Sequence, residues 1–281
     1  MNEAPLQPAA DSPSASIHVS AFTCQNCGAR NEGKFCTCCG QQQIHEEDLT
    51  LRHASHHLVH ELFHVDGKIF NTLKLLFTRP GQLTLDFFEG RRARHVHPIR
   101  LFLLVGFAFF LFARAIPLVD AGIAFGDRTN SKVVKLEKLF AEKGTTLDRV
   151  IADAHTRSAE WFKIIYTVAI LCQGFGLWLI FRRKRPYLAE NMVMVLHLAC
   201  FNMAVWVALG SLKWLHLSMT VAKVGFVVFA CGYFLLASRR VYGGSWLALT
   251  FKWMFLLGIS TVVIAVGYAL VLFRFFLSFQ G

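Results

Sequence analysis

Residues 161–185 read WFKIIYTVAILCQGFGLWLIFRRKR, a mostly apolar run of 21 residues that is closed by four basic ones. At 1.5 Å per residue, a helix of that length crosses the roughly 30 Å hydrocarbon layer of a bilayer. Basic residues that directly follow such a helix tend to stay on the cytoplasmic side. The run therefore predicts a membrane-spanning helix and also its direction.

Four further stretches are long and apolar enough to span, which predicts an all-α integral membrane protein with about five transmembrane helices. Within a transmembrane domain 99–281, the predicted spans are 99–118, 161–181, 191–212, 219–237 and 246–273. Basic clusters precede the first span, follow the second and follow the fourth, so all three lie on one side. This arrangement predicts a multi-pass protein with a cytoplasmic N-terminus and its C-terminus outside. The charged segment 133–153 is then outside and is expected to be partly helical.

Composition and charge narrow the class of partner. Hydrophobic residues make up 54% of the chain, which is more than an ordinary soluble domain contains. The formal net charge is +11, but residues 1–100 carry ten basic and ten acidic residues and are neutral. The excess of basic residues lies from Trp161 onward, where there are eleven basic residues and one acidic residue, Glu190. A basic membrane region predicts contact with anionic lipid headgroups, and no nucleic-acid partner is expected.

Two cysteine knuckles lie upstream of the first span. They read Cys24-Gln25-Asn26-Cys27-Gly28 and Cys36-Thr37-Cys38-Cys39-Gly40, with eight residues between the two pairs. Two C-x-x-C pairs at this distance can place four thiolates around one ion, and each glycine permits a tight turn beneath it. The pattern predicts a structural Zn²⁺ site. The predicted ligands are Cys24, Cys27, Cys36 and Cys39.

The zinc prediction leaves alternatives open, and it has consequences for the compartment and for the folding of the ribbon. A rubredoxin-like iron site and a pair of redox-active thiol pairs are the alternatives, and Cys38 is expected to be a bystander in the second knuckle. Paired cysteines with metal spacing are typical of a reducing compartment. A ribbon of residues 22–41 is too small to hold a core, so it should be unfolded without metal. Residues 1–20 have no hydrophobic run and predict a disordered leader rather than a secretory signal.

Residues 48–97 predict amphipathic juxtamembrane helices that are interrupted by Pro80-Gly81 and stopped at Gly90. Such a segment is expected to lie on the cytoplasmic leaflet with its apolar faces toward lipid. Four arginines next to it are predicted to contact lipid headgroups, at roughly 1 kcal/mol each. They are Arg91, Arg92, Arg94 and Arg100. The plainer interpretation is that they only anchor and orient the helix.

Two groups of polar residues carry alternative hypotheses. His53, His57, His60 and His64 share one helical face, which favours a histidine-rich interfacial helix over a second metal site or a pH sensor. Within the spans, Lys252 with Gln173, His197 and Asn202 can line a polar path for an anion. The sequence contains no nucleotide-binding glycine loop and no paired carboxylates on one helix face. The chain is therefore not expected to be an enzyme.

Three pieces of the chain carry a resemblance to a known family. They are the two knuckles, Thr72-Leu73…Arg79-Pro80-Gly81, and Glu89-Gly90-Arg91-Arg92-Ala93-Arg94…Pro98. In this order, residues 24–100 resemble a bacterial family that is classed only as a domain of unknown function. Its members join an N-terminal zinc ribbon to a short cytoplasmic segment and several membrane helices. The resemblance implies a bacterial inner-membrane protein with a metal-bound head, and it implies no reaction. Cys38 departs from the simplest form of the pattern.

The expected function is non-catalytic. The ribbon is predicted to present a rigid surface to a cytoplasmic or membrane protein partner, while the helices tether the protein or sense a signal. Two alternatives belong to other classes: a small permease for an anionic solute, which would use Lys252, and a lipid-acting membrane enzyme, which would use the histidines of residues 53–64.

Overall fold

The computed structural model describes residues 21–42, 67–113, 131–142, 144–211 and 219–277 of the chain. This part is mostly helical, with one small sheet at its N-terminal end. The predicted leader 1–20 lies outside the described residues. So does the juxtamembrane segment before residue 67, including the histidine stripe 53–64.

The sheet has two short antiparallel strands, β1 (Ala21–Thr23) and β2 (Arg30–Glu32), in which Phe22 pairs with Asn31. The strands flank the first cysteine knuckle, and an isolated bridge between Phe35 and Gln42 flanks the second. Such a small unit buries little apolar surface, so strand pairing alone cannot stabilise its folded state.

Two short helices follow: α1 (Lys68–Thr78) and α2 (Gln82–Phe88). Pro80 ends the first because it lacks an amide donor, and Gly81 turns the chain with φ 78°, a left-handed value that favours glycine. A Cβ atom on Gly81 would lie 2.8 Å from the carbonyl oxygen of Ala237. The turn therefore fits directly against the backbone of a later helix.

The apolar faces of α1 and α2 pack on other helices of this chain, whereas the sequence analysis expected them to face lipid. Leu76 and Leu83 are buried in the main hydrophobic core together with Leu101 and Ala237. Phe70 is an exception, because 74% of its surface is exposed. Helices α1 and α2 are thus packed parts of the helical domain, and individual side chains such as Phe70 remain exposed on its surface.

Six longer helices complete the described chain: α3 (Pro98–Ala113), α4 (Ser131–Glu142), α5 (Leu147–Phe181), α6 (Leu188–Gly210), α7 (Met219–Tyr242) and α8 (Trp246–Leu277). The helical structure of α4 and of the start of α5 confirms that segment 133–153 is partly helical, whereas its location outside stays a prediction.

Within the described residues, four helices are long and apolar enough to cross a membrane. Their candidate spans are Trp161–Phe181, Leu188–Leu209, Val224–Tyr242 and Trp246–Val271. The predicted span 99–118 corresponds to α3, whose apolar part Pro98–Phe112 is shorter, and residues 114–118 are not described. The fifth crossing therefore stays a prediction.

The candidate spans pack closely at a few positions. A Cβ atom on Gly176 would lie 2.8 Å from a methyl group of Leu256, and one on Gly267 would lie 2.9 Å from Ile165. Both glycine contacts join α5 to α8. Stacked rings add contact between α6 and α7, where the Phe201 and Tyr233 centroids are 3.6 Å apart. These contacts make one bundle of α5–α8, and α3 packs on α6.

Candidate metal centre and its contact with the helical domain

The two cysteine knuckles have the same backbone geometry. The amide of Gly28 donates to the carbonyl oxygen of Cys24 at 2.8 Å, and the amide of Gly40 donates to that of Cys36 at 2.8 Å. Both glycines have left-handed φ values, 77° and 71°. Each turn requires a glycine at its end, as the sequence predicted.

The turns bring four sulfur atoms together. Cys24 and Cys39 Sγ are 3.5 Å apart, as are Cys27 and Cys36 Sγ, and all four lie within 4.8 Å of one another. A tetrahedral site with metal–sulfur bonds of about 2.3 Å places its sulfurs about 3.8 Å apart. The four cysteines can therefore hold one metal ion. Cys38 is exposed and lies outside this cluster.

Asn31 supports the cluster from the sheet. Its side-chain amide donates to Cys36 Sγ at 3.2 Å and to the Ala29 carbonyl oxygen at 2.8 Å. Its carbonyl oxygen accepts from the amide and the hydroxyl of Thr37 at 2.9 and 2.8 Å. Side chains in this second layer orient the ligands of metal sites. The sequence analysis did not identify Asn31, for which the one available signal is its position between the two knuckles.

The cluster also favours ionised thiols at its second knuckle. Desolvation raises the pKa of Cys36, but hydrogen bonds from the amides of Cys39 and Cys38 and from the Cys27 thiol outweigh it and lower the pKa to about 6. Thiolates are the form that binds metals, so Cys36 is prepared for ligation.

The metal-site unit rests on the arginine loop, which we define as residues 89–97. Gln41, just after the second knuckle, donates from Nε2 to the Gly90 carbonyl oxygen at 2.7 Å. Its Oε1 accepts from the amides of Arg92 and Ala93, each at 3.2 Å. One side chain thus satisfies three backbone groups of the loop, and it joins the metal-site unit to the helical domain.

Asp86 holds the arginine loop from the α2 side. Its carboxylate accepts hydrogen bonds from Arg91 Nη2 at 2.6 Å and from Gln82 Nε2 at 2.8 Å. It also pairs with His95 Nε2 at 3.0 Å. Arg91 also pairs with Glu89. Burial acts to raise the pKa of Asp86, but the hydrogen bonds from Arg91, Gln82 and His95 outweigh it, so the pKa lies below its usual value. The loop is therefore ordered around an ionised carboxylate.

The four arginines predicted to contact lipid headgroups either contact other groups of the protein or are buried in it. Arg91 pairs with Asp86, the Arg92 guanidinium lies 4.2 Å from the Phe87 ring centroid, and Arg94 donates to the Asn26 carbonyl oxygen at 3.3 Å. Arg100 is 7% exposed, and its Nε and Nη2 have no hydrogen-bond partner among the described residues. Lipid contact by these residues stays a prediction.

The four polar residues of the predicted anion path do not line one cavity. Gln173 and Asn202 line a cavity of about 190 Å³ inside the bundle. His197 instead shares a hydrogen bond of 2.8 Å with the Thr84 hydroxyl. The Lys252 ammonium lies 4.5 Å from the Phe181 ring centroid, where a cation is stabilised by the ring. Transport of an anion stays a prediction.

Basic residues gather at the end of the bundle that carries the arginine loop. Arg240 donates to the Pro80 carbonyl oxygen at 2.7 Å, and Lys184 donates to that of Tyr242 at 2.6 Å. Arg185 lies 4.6 Å from the Phe88 ring centroid. The clusters that follow the second and fourth predicted spans thus meet at one end, as the sequence required.

The described part of the chain is thus mostly helical, with four candidate membrane spans and an N-terminal cysteine cluster that can bind a metal. Residues 66–110 match the family described as Protein of unknown function (DUF3667). This match confirms the predicted likeness to a family of unknown function over α1, α2, the arginine loop and most of α3. The cysteine knuckles lie outside the matched residues. No curated protein and no solved structure matches the chain.

Proposed function

We propose that the protein is a multi-pass protein of a bacterial inner membrane, with the cysteine-bearing end in the cytoplasm and the C-terminus outside. The four candidate spans support membrane insertion. The gathering of basic side chains at the end that carries the arginine loop supports the direction, because such clusters stay on the cytoplasmic side. Crossing by α3 as well makes five spans and leaves the end of α8 outside.

The metal of the cysteine cluster is zinc in this proposal. Four thiolates that lie within 4.8 Å of one another suit tetrahedral zinc, and such a closed site leaves no position for a substrate. Zinc would be held by Cys24, Cys27, Cys36 and Cys39 and would supply folding free energy that so small a unit cannot obtain from a core. Its role is structural.

The zinc ribbon acts as an interaction module that tethers or senses. The observation that carries this proposal is the Gln41 contact, through which the ribbon binds the arginine loop by three hydrogen bonds. A partner bound to the ribbon would thereby be mechanically connected to α2 through Asp86 and to α7 through Gly81.

The ribbon also presents an anchor for a partner. Phe35 lies between the knuckles, and 57% of its surface is exposed although it is a large aromatic residue. Exposed aromatic residues are frequent centres of protein interfaces. Lys34 beside it is also exposed and adds a positive charge that would favour an acidic partner.

Site-specific photocrosslinking tests this function. One variant of the full-length protein, in native membranes, carries a photoreactive amino acid in place of Phe35. A second variant carries it in place of Glu32, an exposed position of β2. We expect one protein adduct that forms from position 35, is weak from position 32, and is lost in the Cys24→Ser/Cys27→Ser variant. Absence of adducts, or the same adducts after loss of both cysteines, would contradict the proposal.

A further inference from the structure

A cavity of about 190 Å³ lies inside the bundle, between α5, α6, α7 and α8. All four helices are candidate membrane spans, so this space lies within the predicted hydrocarbon depth. A protein cavity of about 150 Å³ accommodates a benzene molecule. The cavity is therefore large enough for a substituted six-membered ring, and too small for a bulky solute.

Two carboxamide side chains line this cavity. Gln173 comes from α5 and Asn202 from α6, and neither has a hydrogen-bond partner within the described chain. Amide groups at membrane depth are unfavourable unless they are hydrogen-bonded. Both side chains retain donors for a ligand, since a carboxamide carries two N–H groups and one carbonyl oxygen.

The rest of the lining is apolar, and three of its eleven side chains are aromatic. Phe234 and Trp253 face the cavity with ring centroids 5.3 Å apart, and Phe226 lines it from α7. Among the described residues that line it, there is no Asp, Glu, Lys, Arg or His. An anion or a cation would therefore enter without a counter-charge, whereas a neutral ring would contact other rings.

The cavity has an opening on the side surface of the bundle. Val227 on α7 and Leu257 on α8 both line it, and they are 56% and 38% exposed. Both positions are within candidate spans, where the surrounding medium would be hydrocarbon. A ligand would thus reach the cavity from the bilayer rather than from water.

From these observations we propose that the cavity binds the uncharged ring of a lipid-soluble carbonyl compound, of the class to which quinones belong. The ring carbonyl oxygens accept hydrogen bonds from Gln173 and Asn202, the ring contacts Phe234 and Trp253, and a hydrocarbon tail leaves between α7 and α8. The proposal rests on the membrane location of the bundle and is independent of the ribbon's role.

Fluorescence quenching tests the site, because Trp253 lines it and quinones quench tryptophan. The full-length protein in lipid nanodiscs is titrated with a short-chain benzoquinone, and quenching is compared with that of Trp253→Phe. Gln173→Leu and Asn202→Leu replace each amide by a branched hydrocarbon side chain and so remove the donors, and Ala230→Phe fills the space. Thr167→Val, an exposed position of α5, is the matched control. The Cys24→Ser/Cys27→Ser variant separates this site from the ribbon.

We expect a saturable quenching component that is lost in Trp253→Phe and Ala230→Phe. Each leucine variant should weaken binding about tenfold, the effect of one hydrogen bond. The control and the cysteine variant should bind as the unaltered protein does. Quenching that is linear with quinone concentration, or saturation that persists in Ala230→Phe, would overturn the proposal. Correct folding of each variant is checked by its thermal transition in the same nanodiscs.

Discussion

Replacing Gln41 by alanine should release the metal-site unit from the arginine loop. The side chain makes three hydrogen bonds to backbone groups, at 2.7 Å to Gly90 and at 3.2 Å to Arg92 and Ala93. At about 1 kcal/mol for the short bond and about half of that for each long one, the loss is about 2 kcal/mol. The equilibrium between contact and separation should then shift about thirtyfold.

Hydrogen exchange of the Ala93 amide measures this shift, because this amide donates a hydrogen bond to Gln41 Oε1. We expect exchange at Ala93 to accelerate up to about thirtyfold in Gln41→Ala, since exchange follows the population of the open state. Gln42→Ala is the matched control, because Gln42 is the exposed neighbour. An unchanged exchange rate at Ala93, or equal acceleration by both variants, would refute the reasoning.

Two further predictions concern the layer beneath the loop. Gly81→Ala should lower the free energy of unfolding by about 2 kcal/mol or more, because a left-handed φ costs about 1–2 kcal/mol and the new methyl group would meet Ala237. Thermal unfolding in detergent checks it, with Gly232→Ala as control, since a Cβ atom at Gly232 meets nothing within 4 Å. The pKa of Asp86 is lower in the folded chain than in the unfolded chain, where it is about 3.9. The stability that the carboxylate contributes is therefore complete above the unfolded-state pKa and is lost as the pH falls through the folded-state pKa. Asp86→Asn should therefore lower the melting temperature at about pH 5 and reduce its further fall toward about pH 3.

Each of these predictions has a contrary outcome. Equal melting temperatures for Gly81→Ala and Gly232→Ala would mean that the turn yields without strain. An unaltered acid dependence in Asp86→Asn would mean that the carboxylate does not stabilise the arginine loop.

The candidate spans were predictable because apolar length is a local property of the sequence. The span Trp161–Phe181 has its predicted bounds, whereas the ends of other spans differ. The sequence analysis began the third span at residue 191, whereas α6 begins at Leu188. Asn191 lies buried inside this helix, where its side chain donates to the carbonyl oxygens of Arg185 and Tyr187 and accepts from the Tyr242 hydroxyl. A polar residue that looks like a boundary is thus inside the helix.

The cysteine cluster was predictable from spacing, whereas its contact with the helical domain was not. Gln41 binds the arginine loop about fifty residues further along the chain, and no local pattern encodes such a pairing. Asp86 was overlooked for a related reason. It lies in the short helix α2, and its partners Arg91 and His95 reach it only because Gly90 turns the chain.

The faces of α1 and α2 show a limit of amphipathic patterns. Periodicity identifies an apolar face, but it does not distinguish lipid from protein as the medium that covers it. Leu76 and Leu83 contact the protein core, whereas Phe70 is exposed, although all three belong to the same predicted segment.

Elemental analysis of the purified full-length protein is the most direct test of the metal-bound head. We expect one zinc per chain in the unaltered protein and in Cys38→Ser, because Cys38 lies outside the sulfur cluster. We expect almost no zinc in Cys24→Ser/Cys27→Ser. Iron in place of zinc, no bound metal, or loss of metal in Cys38→Ser would contradict a structural zinc site at the four clustered cysteines.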